Sequence, residues 1–112
     1  MGIDGVIEVL KDHGITKIAH MGFTTLPKEH VFATYGILSE TAQGADEYAL
    51  YLEVAYQVRI FYRDGKTVTD KAMEKLIKQS LRTCEGLTIK YDYVSEDSLD
   101  VTFIEFTTTE EF

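Results

Sequence analysis

The segment LYLEVAYQVRIFY, residues 50–62, decides the fold because its side chains alternate in polarity along its whole length. One set of alternate positions is entirely apolar and consists of Leu52, Val54, Tyr56, Val58, Ile60 and Tyr62. The other set includes the polar residues Glu53, Gln57 and Arg59. A repeat of two residues is typical of a β-strand with one face in a core. The segment therefore predicts a long strand with one buried face.

The second face of this strand also carries Tyr51, Ala55 and Phe61, which is more apolar surface than plain solvent exposure explains. Tyrosine is enriched in protein interfaces, because its ring buries a large area at low entropic cost. Packing within the chain is the alternative explanation for these rings. We predict a subunit or partner interface formed by residues on this face or beside the preceding loop, namely Tyr48, Tyr51, Glu53, Arg59, Phe61 and Arg63.

A helix is predicted at residues 69–84, after a turn at 63–66 that contains Asp64 and Gly65. Thr67 or Thr69 can cap its N-terminus, and Gly86 follows its end. The apolar spacing predicts a buried stripe of Met73, Leu76, Ile77, Ser80, Leu81 and Cys84. The predicted outer surface carries Lys71, Lys75, Lys78 and Arg82.

Before the long strand, the patterns predict a helix at 3–13, a short strand at 18–23, a strand at 31–38, and an exposed loop or wide hairpin turn at 39–46. After the helix they predict strands near 87–93 and 99–106, a polar turn at 95–98, and a loose tail at 107–112. The alternation slips between Phe103 and Ile104, which predicts either a bulge or a strand that is apolar on both faces.

The resulting order, α-β-β-β-α-β-β, predicts an α+β fold in a single domain spanning residues 1–112. We expect a mostly antiparallel sheet of four to five strands, with both helices packed on one face.

The net charge of −8 is distributed unevenly along the chain. Basic residues are concentrated in 63–90, and every charged residue after Lys90 is acidic. Without a dense basic stripe, specific nucleic-acid binding is disfavoured. No segment has the length and apolarity of a membrane span. The charged regions are either solvated surfaces or complementary surfaces through which copies of the chain associate head to tail.

The sequence contains no recognisable catalytic or cofactor motif. His13, His20 and His30 lie on different predicted elements, and no second metal ligand stands at a typical spacing from any of them. Gly-rich phosphate loops and nucleophile motifs are missing too. The lone Cys84 is expected to be a core residue in a reducing compartment. We therefore expect no enzyme activity, no cofactor and no metal.

The order of elements resembles the tail-terminator and tail-completion (neck) proteins of long-tailed phages and prophages. The resemblance covers roughly 31–106 and includes the strand at 31–38, the loop sequence Ala45-Asp46-Glu47, the strand at 56–62, the basic-faced helix and the hairpin that ends at 101–106. It implies a structural subunit that forms a ring, possibly a hexamer, where the tail tube meets the head connector proteins. It further implies assembly in the bacterial cytoplasm, a final position in the virion tail or neck, and a ring through which DNA passes without specific binding.

Two other functions remain open at this point. One is a small-ligand binding or regulatory domain, with an apolar pocket lined by Tyr56, Tyr91 or Phe103. The other is a hydrolase or isomerase, which is disfavoured because no nucleophile, base or metal set can be named.

Overall fold

The computed structural model describes residues 1–44 and 51–111. The order of its elements is the predicted one, α-β-β-β-α-β-β. The elements are α1 (Ile3–Asp12), β1 (Ile18–His20), β2 (Val31–Gln43), β3 (Tyr51–Arg63), α2 (Val68–Ser80), β4 (Glu85–Val94) and β5 (Leu99–Glu111).

The strands form one sheet in the order β1-β2-β3-β5-β4. Only β1 and β2 pair in parallel, and the other neighbours are antiparallel. The predicted α+β class with a mostly antiparallel sheet is confirmed.

The alternation of residues 52–62 places one face of β3 against both helices. Val54, Val58, Ile60 and Tyr62 are fully buried on this face. Val6 and Leu10 of α1 and Ile77 of α2 join them in one core, together with Leu81, Cys84, Ile104 and Phe106. The helices therefore cover one face of the sheet, as expected, and we call the other face the open face.

The open face carries a second apolar cluster of Phe32, Leu99 and Val101. Phe23, from the segment between β1 and β2, packs on this cluster. Buried residues of β5 therefore lie on both faces of the sheet. The register between β3 and β5 is unbroken from Tyr51↔Glu111 to Arg63↔Leu99. The slip in alternation is thus explained by a strand that is apolar on both faces, and no bulge interrupts this pairing.

Two predicted irregular segments are strands instead. Residues 39–43 continue β2 and pair with β3, so the predicted exposed loop is wrong for these positions, while 45 and 46 lie outside the described residues. Residues 107–111 continue β5 and pair with β3, so the predicted loose tail is also wrong, and Phe112 lies outside the described residues. Polar residues form strand here because a long neighbouring strand supplies their backbone hydrogen bonds.

Three elements end earlier than predicted. The strand expected at 18–23 ends at His20, and the next residue, Met21, has a positive φ of 70°. Helix α1 ends at Asp12 instead of 13. Helix α2 ends at Ser80 instead of 84, and the next residue, Leu81, is its C-cap.

The buried stripe of α2 is rotated relative to the prediction. Leu76 is 51% exposed and Ser80 is exposed, whereas Asp70 and Glu74 are buried. Partners on other elements make this possible, because they supply hydrogen-bond donors to both carboxylates. Thr67 is the N-cap, in a reciprocal capping box with Asp70.

Candidate interaction surface

The sheet is longer than the helices that cover it. Helices of 10 and 13 residues are about 15–20 Å long, whereas strands of 13 residues reach about 43 Å. At one end the sheet narrows beyond Thr107, the residue at which β4 begins its pairing with β5. Past this point three strands continue in register, formed by residues 40–43, 51–54 and 108–111. We call this three-stranded segment the projecting end.

Both outer strands of the projecting end have an unpaired edge in the described part of the chain. Pairing of β1 with β2 extends only to Tyr35, and pairing of β4 with β5 extends only to Thr107. An unpaired edge presents backbone donors and acceptors to which another strand can add. The projecting end therefore provides two edges that another chain can pair with.

The charge of the projecting end is entirely negative. Glu40, Glu53, Glu110 and Glu111 are exposed there, and none of its residues is Lys or Arg. Tyr56 donates a hydrogen bond to Glu110 over 2.9 Å. Burial, followed by this hydrogen bond to a carboxylate, raises the pKa of Tyr56 to about 12. The hydroxyl thus stays protonated and remains a donor at neutral pH.

The other half of the open face is partly covered by the chain itself. Arg59 donates through Nε to Thr34 Oγ1 over 2.8 Å and through Nη2 to the carbonyl of Met21 over 3.3 Å. Arg63 donates to the carbonyl of Pro27. Phe61 stacks on Phe32, with 5.1 Å between the ring centroids. The segment between β1 and β2 therefore binds the arginines that the sequence assigned to a partner.

The predicted interface residues consequently divide into two groups. Tyr51 and Glu53 lie on the projecting end, where Tyr51 is 39% exposed. Arg59, Phe61 and Arg63 lie on the half-covered part of the open face. Tyr48 lies outside the described residues. Glu40, Glu110 and Glu111 are not among the predicted interface residues, because the sequence pattern predicts a loop and a tail at their positions.

A shallow apolar groove of about 190 Å³ remains on the open face beside Arg59. Its lining consists of Met21, Gly22, Phe23, Leu26, Phe32, Thr34, Arg59 and Phe61. It is not the pocket that the sequence predicted. Tyr56 lies in the core, Tyr91 is 59% exposed on β4, and Phe103 belongs to the open face, so these three residues line no common cavity among the described pockets.

Helix α2 carries a basic surface on the side of the molecule formed by β4. Lys71, Lys75 and Arg82 are exposed. The orientation is set by Lys78, whose Nζ donates to the hydroxyl of Tyr91 over 2.5 Å. Glu74 pairs with Lys78, whereas Lys71, Lys75 and Arg82 form no ion pair with other residues that the structure describes. We call Lys71, Lys75, Lys78 and Arg82 the basic stripe.

Beneath the basic stripe, Glu74 is the centre of a buried polar network. It is 3% exposed and accepts hydrogen bonds from the hydroxyls of Tyr62, over 2.6 Å, and Thr102, over 2.9 Å. Lys66 and Lys78 each place Nζ 3.1 Å from a Glu74 oxygen. Burial alone would raise the pKa of Glu74, but the hydrogen bonds, first from Tyr62, outweigh it and lower the pKa. Burial and the bond to Glu74 raise the pKa of Tyr62.

Both carboxylate oxygens of Glu74 have hydrogen-bond donors, and these bonds connect α2 to the sheet. Lys66 also lies 4.4 Å from the ring centroid of Tyr91, which adds a cation–π contact. Glu74 lines neither the groove beside Arg59 nor any of four further surface pockets. The arrangement therefore holds a charge in place without exposing it to a substrate.

The three histidines do not come together. His13 contacts the carbonyl of Val9, the ring of His20 packs against that of Tyr35 at a tilt of 39°, and His30 pairs with Asp70 over 2.6 Å between Nε2 and Oδ2. Among residues 1–44 and 51–111, no three His, Cys, Asp or Glu side chains are grouped so as to hold a metal ion. Cys84 is buried in the main core, and burial raises the pKa of its thiol.

The chain was also compared with known proteins. It matches no protein-family model and no curated protein. None of the helices described is long and apolar enough to span a membrane.

Proposed function

We propose that this chain is a structural subunit of a phage or prophage particle, which associates with copies of itself and caps or completes the tail tube at the head–tail junction. The observation that carries the proposal is the projecting end, a three-stranded segment that continues past the pairing of β1 and β4 and has two unpaired edges in the described part of the chain. Such a segment is suited to pairing with another chain. The resemblance of residues 31–106 to tail-terminator and tail-completion proteins supplies the biological setting.

In this setting the partners are further copies of the chain, the tail tube protein and the head connector proteins. Assembly takes place in the bacterial cytoplasm, and the product is part of the virion tail or neck. The net charge of −8 favours this role, because a negatively charged ring repels the DNA phosphates that pass through it. The subunit acts by binding and positioning other proteins and uses no cofactor.

The first test is the solution mass of the chain, measured by light scattering over a concentration series at low and moderate salt. We expect oligomers that form with increasing concentration and appear as uniform rings by electron microscopy. Some subunits of this kind assemble only on their tube, so the chain is also mixed with tail tubes of the same genome. Monomers at every concentration together with no binding to tube ends would overturn the proposal.

A point variant links this assembly to the projecting end. Tyr51→Asp places a charge on an exposed apolar residue of that segment and is expected to weaken assembly without changing the circular dichroism spectrum. Leu26→Asp changes an exposed apolar side chain of the segment between β1 and β2 in the same way and serves as the control. Equal weakening by both substitutions would argue against a specific role for the projecting end.

A second candidate function is the binding of a small apolar ligand in the groove beside Arg59. The specific observation in its favour is the almost entirely apolar lining by side chains such as Phe23, Leu26 and Phe61. The fluorescent probe ANS, titrated into wild type and Leu26→Ser, tests this candidate. Saturable binding that Leu26→Ser weakens would support it, and binding that is the same in both chains, or undetectable, would exclude it.

A further inference from the structure

We propose that the projecting end of one copy binds the basic stripe of α2 on the next copy. This inference rests on the proposed self-association and specifies which two surfaces meet. It is carried by the charges of the two surfaces, by the unpaired edges, and by their positions on different sides of the molecule.

The projecting end is an acidic surface without internal compensation. Glu40, Glu53 and Glu111 are exposed, and no cation is present in the three strand segments. Glu53 and Glu111 lie on the open face and Glu40 and Glu110 on the opposite face, so both faces of this segment are acidic and repel any surface of the same sign. A partner that places cations here relieves this repulsion.

The basic stripe is the complementary surface. Lys71 and Lys75 are exposed on α2 and Arg82 is exposed just after its C-cap, whereas the two carboxylates of the helix are buried. By contrast, the exposed charges of α1 are three carboxylates and one lysine. Helix α2 is therefore the helix whose surface can accept the acidic end of a neighbour.

The two surfaces lie on different parts of the chain. The projecting end is at one end of the long strands, and the basic stripe is on the side of the molecule formed by β4, as the contact between Lys78 and Tyr91 shows. A contact between unlike surfaces is heterologous, so every copy that binds one neighbour keeps a free surface for another. Such contacts build a ring where the rotation between neighbours closes and an open filament where it does not, and the proposed function requires the ring.

Charge reversal tests the contact. One variant carries Glu40→Lys, Glu53→Lys and Glu111→Lys on the projecting end. The other carries Lys71→Glu, Lys75→Glu and Arg82→Glu on the basic stripe. All six side chains are exposed, so both variants are expected to fold, which circular dichroism and thermal unfolding will verify. Glu110 is left unchanged because it accepts the hydrogen bond from Tyr56.

Each variant alone is expected to associate at least about tenfold more weakly than wild type at low salt, because like charges then face each other. An equimolar mixture of the two is expected to recover association, since each reversed surface finds an oppositely charged partner. Recovery in the mixture separates a direct contact from a general effect of net charge.

Matched controls change the same number of charges elsewhere. Glu29→Lys, Glu96→Lys and Asp97→Lys correspond to the first variant, and Lys11→Glu, Lys17→Glu and Lys28→Glu correspond to the second. The controls are expected to assemble nearly as wild type does. If wild type assembles and the two reversal variants match their controls, the contact assigned here is wrong while the proposed function stands. If wild type neither assembles nor binds tubes, both fail.

Discussion

At the scale of single residues, Glu74 is the side chain on which the placement of α2 depends. A buried carboxylate is costly unless its oxygens are satisfied, and here donors arrive from the sheet, from Lys66 after the turn and from Lys78 on the helix. The charge is thereby held in one position between helix and sheet. Removing one donor should destabilise the fold more than removing a comparable group at the surface.

Tyr62→Phe tests this expectation. The variant removes the hydroxyl that lies 2.6 Å from Glu74 and leaves the ring in place. We expect the free energy of unfolding to fall by about 1.5–3 kcal/mol, the usual contribution of a hydrogen bond to a charged group. Urea unfolding measures the change. Tyr93→Phe is the control, since Tyr93 is 54% exposed and the change should be close to zero. Equal losses in the two variants would contradict the role assigned to the network.

The ionisation of Glu74 also makes the free energy of unfolding depend on pH. Hydrogen bonds lower the pKa of Glu74 in the folded chain below its ordinary value near 4.3. A lowered pKa contributes stability above the unfolded-state value, and this contribution is lost as the pH falls through the folded-state pKa. Glu74→Gln should therefore be less stable than wild type at pH 7 but lose less stability on acidification.

Urea unfolding of both chains over a series of pH values from about 7 to 3 measures this difference. The slopes should differ by at most about 1.4 kcal/mol per pH unit, the limit for one proton. If Glu74→Gln does not fold, Asp70→Asn gives the same test, because its pKa is also lowered, by Thr67 and His30 against the effect of burial. Parallel curves for wild type and variant would refute the linkage.

At the scale of elements, local patterns predicted what local interactions determine. The alternation of residues 52–62 depends only on the period of a strand, and the capping box of Thr67 and Asp70 depends only on neighbouring residues. The buried face of α2 could not be predicted in this way. Glu74 becomes acceptable in the core only because Tyr62, Thr102 and Lys66 meet it there, and no local pattern contains that information.

The interface residues were predicted only in part, because a local pattern does not show how the rest of the chain packs on a strand. Tyr51 and Glu53 follow from the period of β3, and they do lie on an exposed surface. Arg59 and Arg63 lie on the same face of β3 as Tyr51 and Glu53, but carbonyl groups of Met21 and Pro27 accept their hydrogen bonds. Where a connecting segment returns over a sheet depends on tertiary packing. The acidic residues at the end of β5 were missed because Thr and Glu form a strand there only through pairing with β3.

Hydrogen exchange tests the extension of β5. A tail without structure would exchange rapidly at every amide, whereas a strand paired with β3 should protect alternate amides within 107–111. Deuterium incorporation is measured at residue resolution by NMR. Amides at 24–29, which lie outside the helices and strands, are the internal control. Equally fast exchange in the two segments would contradict the pairing.

At the scale of the whole molecule, the two faces of the sheet are covered to different extents, and its acidic residues are concentrated at one end. The helices cover one face, the connecting segment half-covers the other, and the acidic projecting end continues past the pairing of β1 and β4. The principal-axis extents of 52 × 29 × 21 Å reflect this elongation. An assembly subunit benefits from such a shape, because the outer edges of the segment that binds a neighbour are unpaired in the described part of the chain.

Small-angle X-ray scattering tests the elongated shape directly. The Cα radius of gyration is 15.4 Å, whereas a compact chain of 112 residues is expected near about 13 Å. We expect the radius of gyration of the monomer, measured at moderate salt and extrapolated to zero concentration, to be closer to 15.4 Å. Association raises the forward scattering with concentration, so the extrapolation separates it from shape. A monomer near 13 Å would mean that the projecting end folds back on the core in solution, and its edges and carboxylates would then not be available to a neighbouring copy.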